Sequence, residues 1–280
     1  MMPTARFLCG DAREQLATLP DASVDCCITS PPYADLIDYG SGPSIGPEGY
    51  ADWAVAVCQA IARVLKPGGV LAWNLNGRGE ALFPEEVAVR LPRETSLRLH
   101  DRVAWVKANA VPARSRSCHT IPEWEPIWVW RRGDRLAYFG REDIRRPYSE
   151  TTLRRSARGN LHRGRQGNHR DQAHPYVRAD FPEYVNPAGR DAANVIWAAP
   201  EQSPQWAHPA RFPKAIPDFF IRAYCPVGGT VLDPFVGSGT TAAVALRLGR
   251  HAIGIDLNPA YVAMAERRAR QIGLALEVAP

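Results

Sequence analysis

The sequence predicts an α/β fold in which helices cover a sheet of buried strands, and three stretches predict it. Thr230-Val231-Leu232 is a short apolar, β-branched run that reads as a buried strand. Asp233 and Pro234 end it, Gly237 and Gly239 permit a tight turn, and residues 242–248 are strong helix formers stopped by Gly249. Residues 251–256 form a second strand with an acid, Asp256, at its carboxyl end. Asn258 then serves as N-cap and Pro259 as first helical residue of a helix over 260–271. Near the other terminus Val24-Asp25-Cys26-Cys27-Ile28 is apolar enough to lie centrally in a sheet, and it runs directly into Ser30-Pro31-Pro32-Tyr33.

The other elements follow in chain order. Residues 6–11 read as a short strand ending in Asp11, and 12–19 as a short helix stopped by Pro20. Tyr50, Trp53, Ala54, Val57, Ile61, Val64 and Leu65 share one face of a helix over 50–65, which Lys66-Pro67-Gly68-Gly69 ends. Residues 70–75 are a buried strand and 84–91 a helix. Residues 97–106 alternate like a half-buried strand, with 127–130 as its partner. From 131 to 194 the pattern fails. Residues 194–197 are a short strand, 206–213 a turn-rich lead-in, and 216–224 a helix feeding the strand at 230. No internal repeat is present.

Length and composition bound the function. A chain of 280 residues with 45% hydrophobic side chains can bury a large core, as one domain or a domain with an insertion. No run of about eighteen apolar residues exists, and residues 1–11 lack a signal-like stretch, so a cytoplasmic protein without a membrane span is expected. None of the six cysteines forms a C-x-x-C pair, which argues against a zinc ribbon or redox motif; buried thiols and no metal are expected. The net charge is +5, and Lys66, Lys107 and Lys214 are the only lysines, so arginine carries nearly all the positive charge. Arginine binds phosphate in a fork and reads guanine edges; GC-rich coding also enriches it.

Three segments carry candidate chemistry. The strand–glycine turn–helix at 230–248 has the shape of a nucleotide-type cofactor site at the carboxyl end of a parallel strand. No Lys follows its second glycine, so it is not a P-loop, and Ala242 stands where a dinucleotide fingerprint has its third glycine. Asp256 follows the turn at the distance, about twenty residues, where an acid accepts hydrogen bonds from a ribose. In Ser30-Pro31-Pro32-Tyr33 two prolines hold the backbone extended and remove two donors. A hydroxyl, rigid carbonyls and an aromatic ring within four residues suit a flat, amine-bearing ring; a plain Pro-Pro turn with a surface tyrosine is the competing reading. Residues 141–170 hold nine arginines against Glu142, Asp143 and Glu150, which reads either as a phosphate-facing insertion or as a solvated loop.

In combination these segments resemble the S-adenosylmethionine-dependent, amino-group DNA methyltransferases of the β type. In that family the catalytic tetrapeptide comes early, the cofactor loop late, and the target-recognition region between them. Here Thr29-Ser30-Pro31-Pro32-Tyr33 comes first and Asp233-Pro234-Phe235-Val236-Gly237-Ser238-Gly239-Thr240-Thr241 last. Leu65-Lys66-Pro67-Gly68-Gly69, the segment Trp105-Val106-Lys107-Ala108-Asn109-Ala110-Val111-Pro112, His208-Pro209-Ala210-Arg211-Phe212-Pro213 and Gly254-Ile255-Asp256-Leu257-Asn258-Pro259-Ala260-Tyr261 also resemble its signatures. The resemblance covers residues 5–130 and 194–272.

The resemblance implies a permuted Rossmann-like methyltransferase sheet with an inserted target-recognition region: a catalytic half over 1–130, an Arg-rich insertion over 131–193 and a cofactor half over 194–280. It implies S-adenosyl-L-methionine as cofactor. Asp256 would hold the ribose, Asp11 would accept from the adenine amine, and Phe235, Gly237 and Gly239 would wrap the methionine part. Thr240 and Thr241 would bind its carboxylate, and Asp233, Pro234, Ser238 and Leu257 complete the set. The family often has Glu where this chain has Asp256, and either carboxylate accepts two hydroxyls. Ser30 and the Pro31 carbonyl would accept the hydrogens of the target amine, with Pro32 in the turn and Tyr33 stacked on a flipped base. Ser at the first position goes with cytosine N4 and Asp with adenine N6, so N4-cytosine is the expected target and N6-adenine the alternative. RNA or protein-amide methylation and a silent DNA-binding relative are the rivals from other classes. Duplex DNA is the expected partner, through Arg114, Arg116, Arg154, Arg155, Arg158, Arg163 and Arg165. A cognate restriction endonuclease and a monomer or homodimer are further expectations.

Overall fold

A computed structural model describes residues 2–32, 46–76, 82–107, 123–157, 186–200 and 213–277. The chain forms strands β1 (Ala5–Cys9), β2 (Val24–Thr29), β3 (Leu65–Asn74), β4 (Leu97–Val106), β5 (Trp124–Arg132), β6 (Val195–Trp197), β7 (Thr230–Asp233) and β8 (His251–Asp256). The helices are α1 (Ala12–Ala17), α2 (Pro47–Val64), α3 (Phe83–Glu94), α4 (Glu150–Ala157), α5 (Ala215–Tyr224), α6 (Thr240–Arg247) and α7 (Pro259–Glu277).

The eight strands make one sheet in the order β1-β8-β7-β2-β3-β5-β4-β6. Every pairing is parallel except those of β5, which runs antiparallel to both β3 and β4. The expected α/β class with a mostly parallel sheet is therefore the observed one. β7 and β8, from the end of the chain, insert between β1 and β2, from its start. This brings the strands that end at Cys9, Asp256, Asp233 and Thr29 side by side, with their carboxyl ends on one edge. Ligands in open α/β sheets bind at that edge.

Helices α1, α2 and α3 pack together on one face, and α5, α6 and α7 on the other. The core under the first group includes Leu16, Tyr50, Ile61, Leu71, Trp73 and Trp130, all at most 1% exposed. Cys26, Cys27, Cys58 and Cys225 are buried free thiols, as expected of cysteines in apolar runs. Among the described residues no helix is long and apolar enough to cross a membrane.

The structure corrects three sequence boundaries. Lys66-Pro67-Gly68-Gly69 does not separate helix from strand: α2 stops at Val64, and β3 already begins at Leu65, which pairs with Val24. The segment is a bulge within the β2–β3 pairing, where the register shifts between Val24 and Cys26. Lys66 forms an ion pair with Asp25 at 2.8 Å. Gly68 has φ +77°, and a Cβ there would lie 2.4 Å from Ala137 N, so tertiary packing fixes the glycine. The second correction is α3, which continues past Leu91 through Pro92 to Glu94. The third concerns residues 131–194, which are not patternless. Arg131 and Arg132 belong to β5, and α4 opens with Ser149 Oγ accepting from Thr152 N at 3.2 Å.

The chain divides into two compact units, residues 1–140 with 193–280, and residues 141–192. In the smaller unit Arg146 bridges Arg190, and Arg145 pairs with Glu142 and Asp191.

Candidate active site

The cofactor-type loop hangs between β7 and β8. Val236 N donates to Ile255 O at 2.8 Å and Gly237 N to Asp256 Oδ2 at 2.9 Å, so the turn after one strand is tied to the end of the next. Gly237 (φ +47°) and Gly239 (φ +78°) both adopt left-handed backbone. A Cβ on Gly239 would also meet Ala265 Cα of α7 at 2.8 Å, so only glycine lets loop and helix approach this closely. Beneath the loop lies Arg268 of α7, 4% exposed. Its Nη1 donates to Thr240 Oγ1 at 2.9 Å, and to Ser238 O and Ser238 Oγ at 3.3 Å.

Asp256 ends β8. Its Oδ2 accepts from Gly237 N and its Oδ1 from Asn258 N, both at 2.9 Å. Each carboxylate oxygen accepts two hydrogen bonds, so capacity for two hydroxyls remains. Burial raises its pKa, and the backbone donors oppose that shift. Leu257, the next residue, is 45% exposed. Asp11 lies two residues past β1, which stops at Cys9 and not at Asp11 as the sequence suggests; it caps α1 by accepting from Arg13 N at 2.8 Å and pairs with the Arg13 guanidinium at 3.1 Å. Hydrogen bonds from Arg13 hold its carboxyl below the usual range. Gly10 N donates to Asp256 O at 3.0 Å, which joins the two strand ends.

Asp233 is internal. Its Oδ1 accepts from Thr29 Oγ1 at 2.7 Å and from Phe235 N at 3.1 Å, so this carboxylate links the end of β7 to the end of β2. Ser238, Thr240 and Thr241 are buried with it. The Thr241 hydroxyl lies near enough to Asp233 to favour its charged form, yet makes no well-aligned hydrogen bond. A buried hydroxyl in that condition can serve a bound acceptor.

Burial pushes the Asp233 carboxyl up to about 6, against its ordinary 3.8. With the folded pKa raised, the stability this group contributes is fully present below about pH 4 and lost as pH rises through about 6. Asp233→Asn keeps an oxygen to accept from Thr29 and Phe235 and cannot ionise. Its unfolding free energy relative to wild type should therefore rise between pH 4 and pH 7, read from urea midpoints at the two pH values. A difference that stays flat with pH would contradict a buried, titrating Asp233.

The Ser-Pro-Pro turn leaves β2 beside this loop. Ser30 and Pro32 are half-buried and Pro31 is buried. Tyr50 of α2, 0% exposed, donates to Pro32 O at 2.9 Å. Its ring packs on Trp53 (centroids 5.3 Å apart) and Phe83 (4.6 Å), while Trp53 packs on Phe235 of the glycine loop at 5.5 Å. One aromatic cluster thus supports both the Pro-Pro turn and the glycine loop, with Trp73 edge-on to Phe235. Sequence reasoning placed Tyr50 and Trp53 on a core face and missed this role. It also missed Thr29 and Arg268; an arginine among the buried Ala265 and Ala269 of α7 was the available signal for the latter.

The structure therefore brings Asp11, Ser30, Pro31, Pro32, Asp233, Pro234, Phe235, Gly237, Ser238, Gly239, Thr240, Thr241, Asp256 and Leu257 to one sheet edge. Tyr33, Arg114, Arg116, Arg158, Arg163, Arg165 and residues 208–212 lie outside the described residues, as does the Arg155 side chain. Arg154 is exposed on α4 and pairs with Glu150 at 2.6 Å. No group of three or more His, Cys, Asp or Glu among the described residues could hold a metal ion.

Comparison with known proteins bears on this edge. The sequence model of the family described as DNA methylase (N6_N4_Mtase) matches residues 24–267. The Type II methyltransferase M.SmaI of Serratia marcescens is 26% identical over 302 residues, covering 95% of this chain and 90% of that protein. The cytosine-N4-specific PvuII DNA methyltransferase shares the fold, with TM-score 0.67 and 20% identity over 99% of this chain and 93% of that one. TTHA0409 of Thermus thermophilus, in its complex with S-adenosyl-L-methionine, has TM-score 0.59 and 26% identity over 96% of this chain and 95% of that one.

Proposed function

The chain belongs to the DNA methylase family that matches residues 24–267, and from that premise we propose that it methylates N4 of cytosine in duplex DNA, using S-adenosyl-L-methionine. One observation carries the reading. The Ser30-Pro31 turn and the glycine loop with Asp256 leave neighbouring parallel strands on the same edge, and Thr29 and Asp233 are bonded between them at 2.7 Å. A cofactor on the loop and an amine on the turn would meet there.

The residues support the cofactor assignment. Asp256 offers a carboxylate to the ribose, left-handed Gly237 and Gly239 let backbone come close, and the buried Thr241 hydroxyl suits a carboxylate. The structural relative from Thermus thermophilus binds this cofactor. Bound there, it would supply a methyl group already activated on a sulfonium, so no covalent enzyme intermediate is required. The target amine is the weak partner, because its lone pair is delocalised into the ring. Ser30 Oγ and Pro31 O would each accept one amine hydrogen and turn the lone pair towards the methyl carbon. The Tyr50 bond to Pro32 O holds the turn in place for this, and the contribution is positioning plus stabilisation of developing charge. The nitrogen would bond the methyl carbon as the carbon–sulfur bond breaks with its electron pair left on sulfur, and the methylated amine would pass its surplus proton to solvent.

Cytosine is assigned through Ser30, since in the family this sequence resembles serine at that position goes with N4. The base must leave the duplex to reach a half-buried Ser30. The Type II naming of M.SmaI supports a modification enzyme with a cognate endonuclease. Methyl-labelled cofactor incubated with unmethylated plasmid, RNA and cell protein tests the assignment: label should enter only the plasmid, and label in RNA or protein alone would overturn it.

The arginines of the smaller unit are proposed as phosphate contacts. If several of them neutralise phosphates, the logarithm of DNA affinity should fall linearly with log salt, by about 0.9 per contact. Removing the charge of Arg154 should lower that slope by about one. An unchanged slope for Arg154→Ala would return its charge to the solvent-facing role its pairing with Glu150 already provides.

A further inference from the structure

A polar cluster outside the tetrapeptide and the glycine loop lies on the same carboxyl edge. Lys107, just past the end of β4, pairs with Glu125 at the start of β5, Nζ to Oε1 at 2.5 Å. Glu125 is only 8% exposed. Asn74, at the end of β3 and 3% exposed, donates from Nδ2 to Pro126 O at 3.2 Å and to Glu125 Oε2 at 3.4 Å. The Lys107 ammonium lies 5.4 Å from the Trp105 ring centroid, and its backbone N donates to Glu123 O at 2.7 Å. The ammonium is therefore held between a carboxylate and an aromatic face, on a backbone that is itself anchored.

Register places this cluster opposite the catalytic serine. Thr29 pairs with Trp73 in the parallel β2–β3 ladder, so one residue further Ser30 stands beside Asn74. Side chains of paired residues share a face, and alternate residues along a strand share it too. Asn74 pairs with Ile127, Glu125 is two residues before Ile127, and Trp105 pairs with Glu125. Asn74, Glu125 and Trp105 thus face one way, Lys107, two residues after Trp105, continues their row, and Ser30 leaves β2 next to Asn74. Three strand spacings of about 4.8 Å and four residues of about 3.3 Å along the strand put the backbones of Ser30, just past β2, and Lys107, just past β4, roughly 20 Å apart. The lysine and serine side chains, a pyrimidine with its exocyclic groups and two hydrogen bonds together bridge such a span.

A buried ion pair is a poor device for stability, because desolvating both charges offsets their attraction. Its position on the sheet edge that also carries Ser30 gives it a different use. A cytosine whose N4 amine is held at Ser30 and Pro31 carries its N3 and O2 acceptors along the same edge of the ring, with O2 at the end furthest from them. An ammonium has three donors, and Glu125 takes one, so Lys107 can serve Glu125 and a base acceptor together.

Resting on the cytosine reading above, we propose that Lys107, aimed by Glu125 and Asn74, binds the acceptor edge of the flipped target base and is a specificity-determining residue of the reaction.

The test needs purified full-length protein, its mapped recognition duplex, and a copy of that duplex with an abasic site at the target. Lys107→Met should lower kcat/KM for DNA about 10- to 100-fold, the range for losing a hydrogen bond to a charged donor. Its dissociation constant for S-adenosylmethionine should stay at the wild-type value. The wild-type protein should bind the intact duplex more tightly than the abasic one, and Lys107→Met should bind the two alike. Wild-type kcat/KM in Lys107→Met overturns the proposal. So does equal loss of affinity for both duplexes, which would make Lys107 a backbone contact. If the methionine variant does not fold, Lys107→Arg keeps the pair with Glu125 but moves the donors. It should then show the same loss of discrimination with unchanged cofactor binding, and wild-type discrimination would overturn the proposal. Failure of the cytosine reading is separate: it appears as wild-type protein that does not methylate cytosine at all.

Discussion

Ser30→Ala should reduce kcat for methyl transfer to DNA about a hundredfold or more, the scale of removing one preorganised hydrogen-bonding group from a reacting centre. Its dissociation constant for S-adenosylmethionine should remain at the wild-type value. Ser30 Oγ is one of two acceptors at the end of β2, and the other, Pro31 O, belongs to a backbone that the substitution leaves in place. The residues that shape the turn are elsewhere: Tyr50 bonds Pro32 O, and Thr29 bonds Asp233 across to the cofactor loop. On the proposed reading, losing the hydroxyl removes one amine contact without releasing the turn. Rapid-quench transfer with labelled cofactor, alongside equilibrium cofactor binding, separates the two effects. Unchanged transfer would remove Ser30 from the chemistry, and a loss of cofactor binding equal to the loss of rate would make its role structural.

Asp256→Ala should do the reverse, weakening cofactor binding by about two to four orders of magnitude with a smaller effect on the rate of transfer at saturating cofactor. The estimate takes the loss of charge-assisted hydrogen bonds to two hydroxyls, each about 1.5–3 kcal/mol. The variant carries a second consequence, because the carboxylate also accepts from Gly237 N and Asn258 N. Leaving those amides unmet costs about 1–3 kcal/mol each where they are shielded from water, so thermal stability without cofactor should also fall. Asp256→Asn distinguishes the contributions: it retains one accepting oxygen and should recover more stability than affinity. Calorimetric titration and a melting curve read both. Wild-type cofactor affinity in Asp256→Ala would exclude the ribose assignment.

Strand ends were the most legible part of this fold. Asp11, Asp233 and Asp256 each terminate a short apolar run, and Ser30-Pro31-Pro32 terminates another, so acid or proline marks the place where the ladder must stop. Their convergence was legible only through the order of the two motifs, because nothing local to Val231 or Cys27 says that β7 lies against β2. The misread boundary at Lys66-Pro67-Gly68-Gly69 has the same origin. Proline and two glycines end most local structure, but here the Lys66–Asp25 pair and the close approach of residues 135–137 hold them in a strand. Helix α4 escaped notice because its stripe is polar, supported by the Ser149 cap and the Glu150–Arg154 pair.

Supporting residues were the least legible. A buried face tells that Tyr50 is covered but not that its hydroxyl reaches Pro32. Arg268 and the Lys107–Glu125 pair are charges whose partners lie far along the chain, and only the packing of α7 under the loop and the pairing of β5 with β4 bring them together.

The central claim is that the edge formed by β8, β7 and β2 moves a methyl group from S-adenosylmethionine to N4 of cytosine in DNA. Nucleoside mass spectrometry of unmethylated duplex DNA digested after incubation with protein and cofactor tests it most directly. The account predicts N4-methylcytosine, lost in the Ser30→Ala digest. N6-methyladenine in its place would contradict the assignment of the base, and a digest with no methylated nucleoside would contradict the account as a whole.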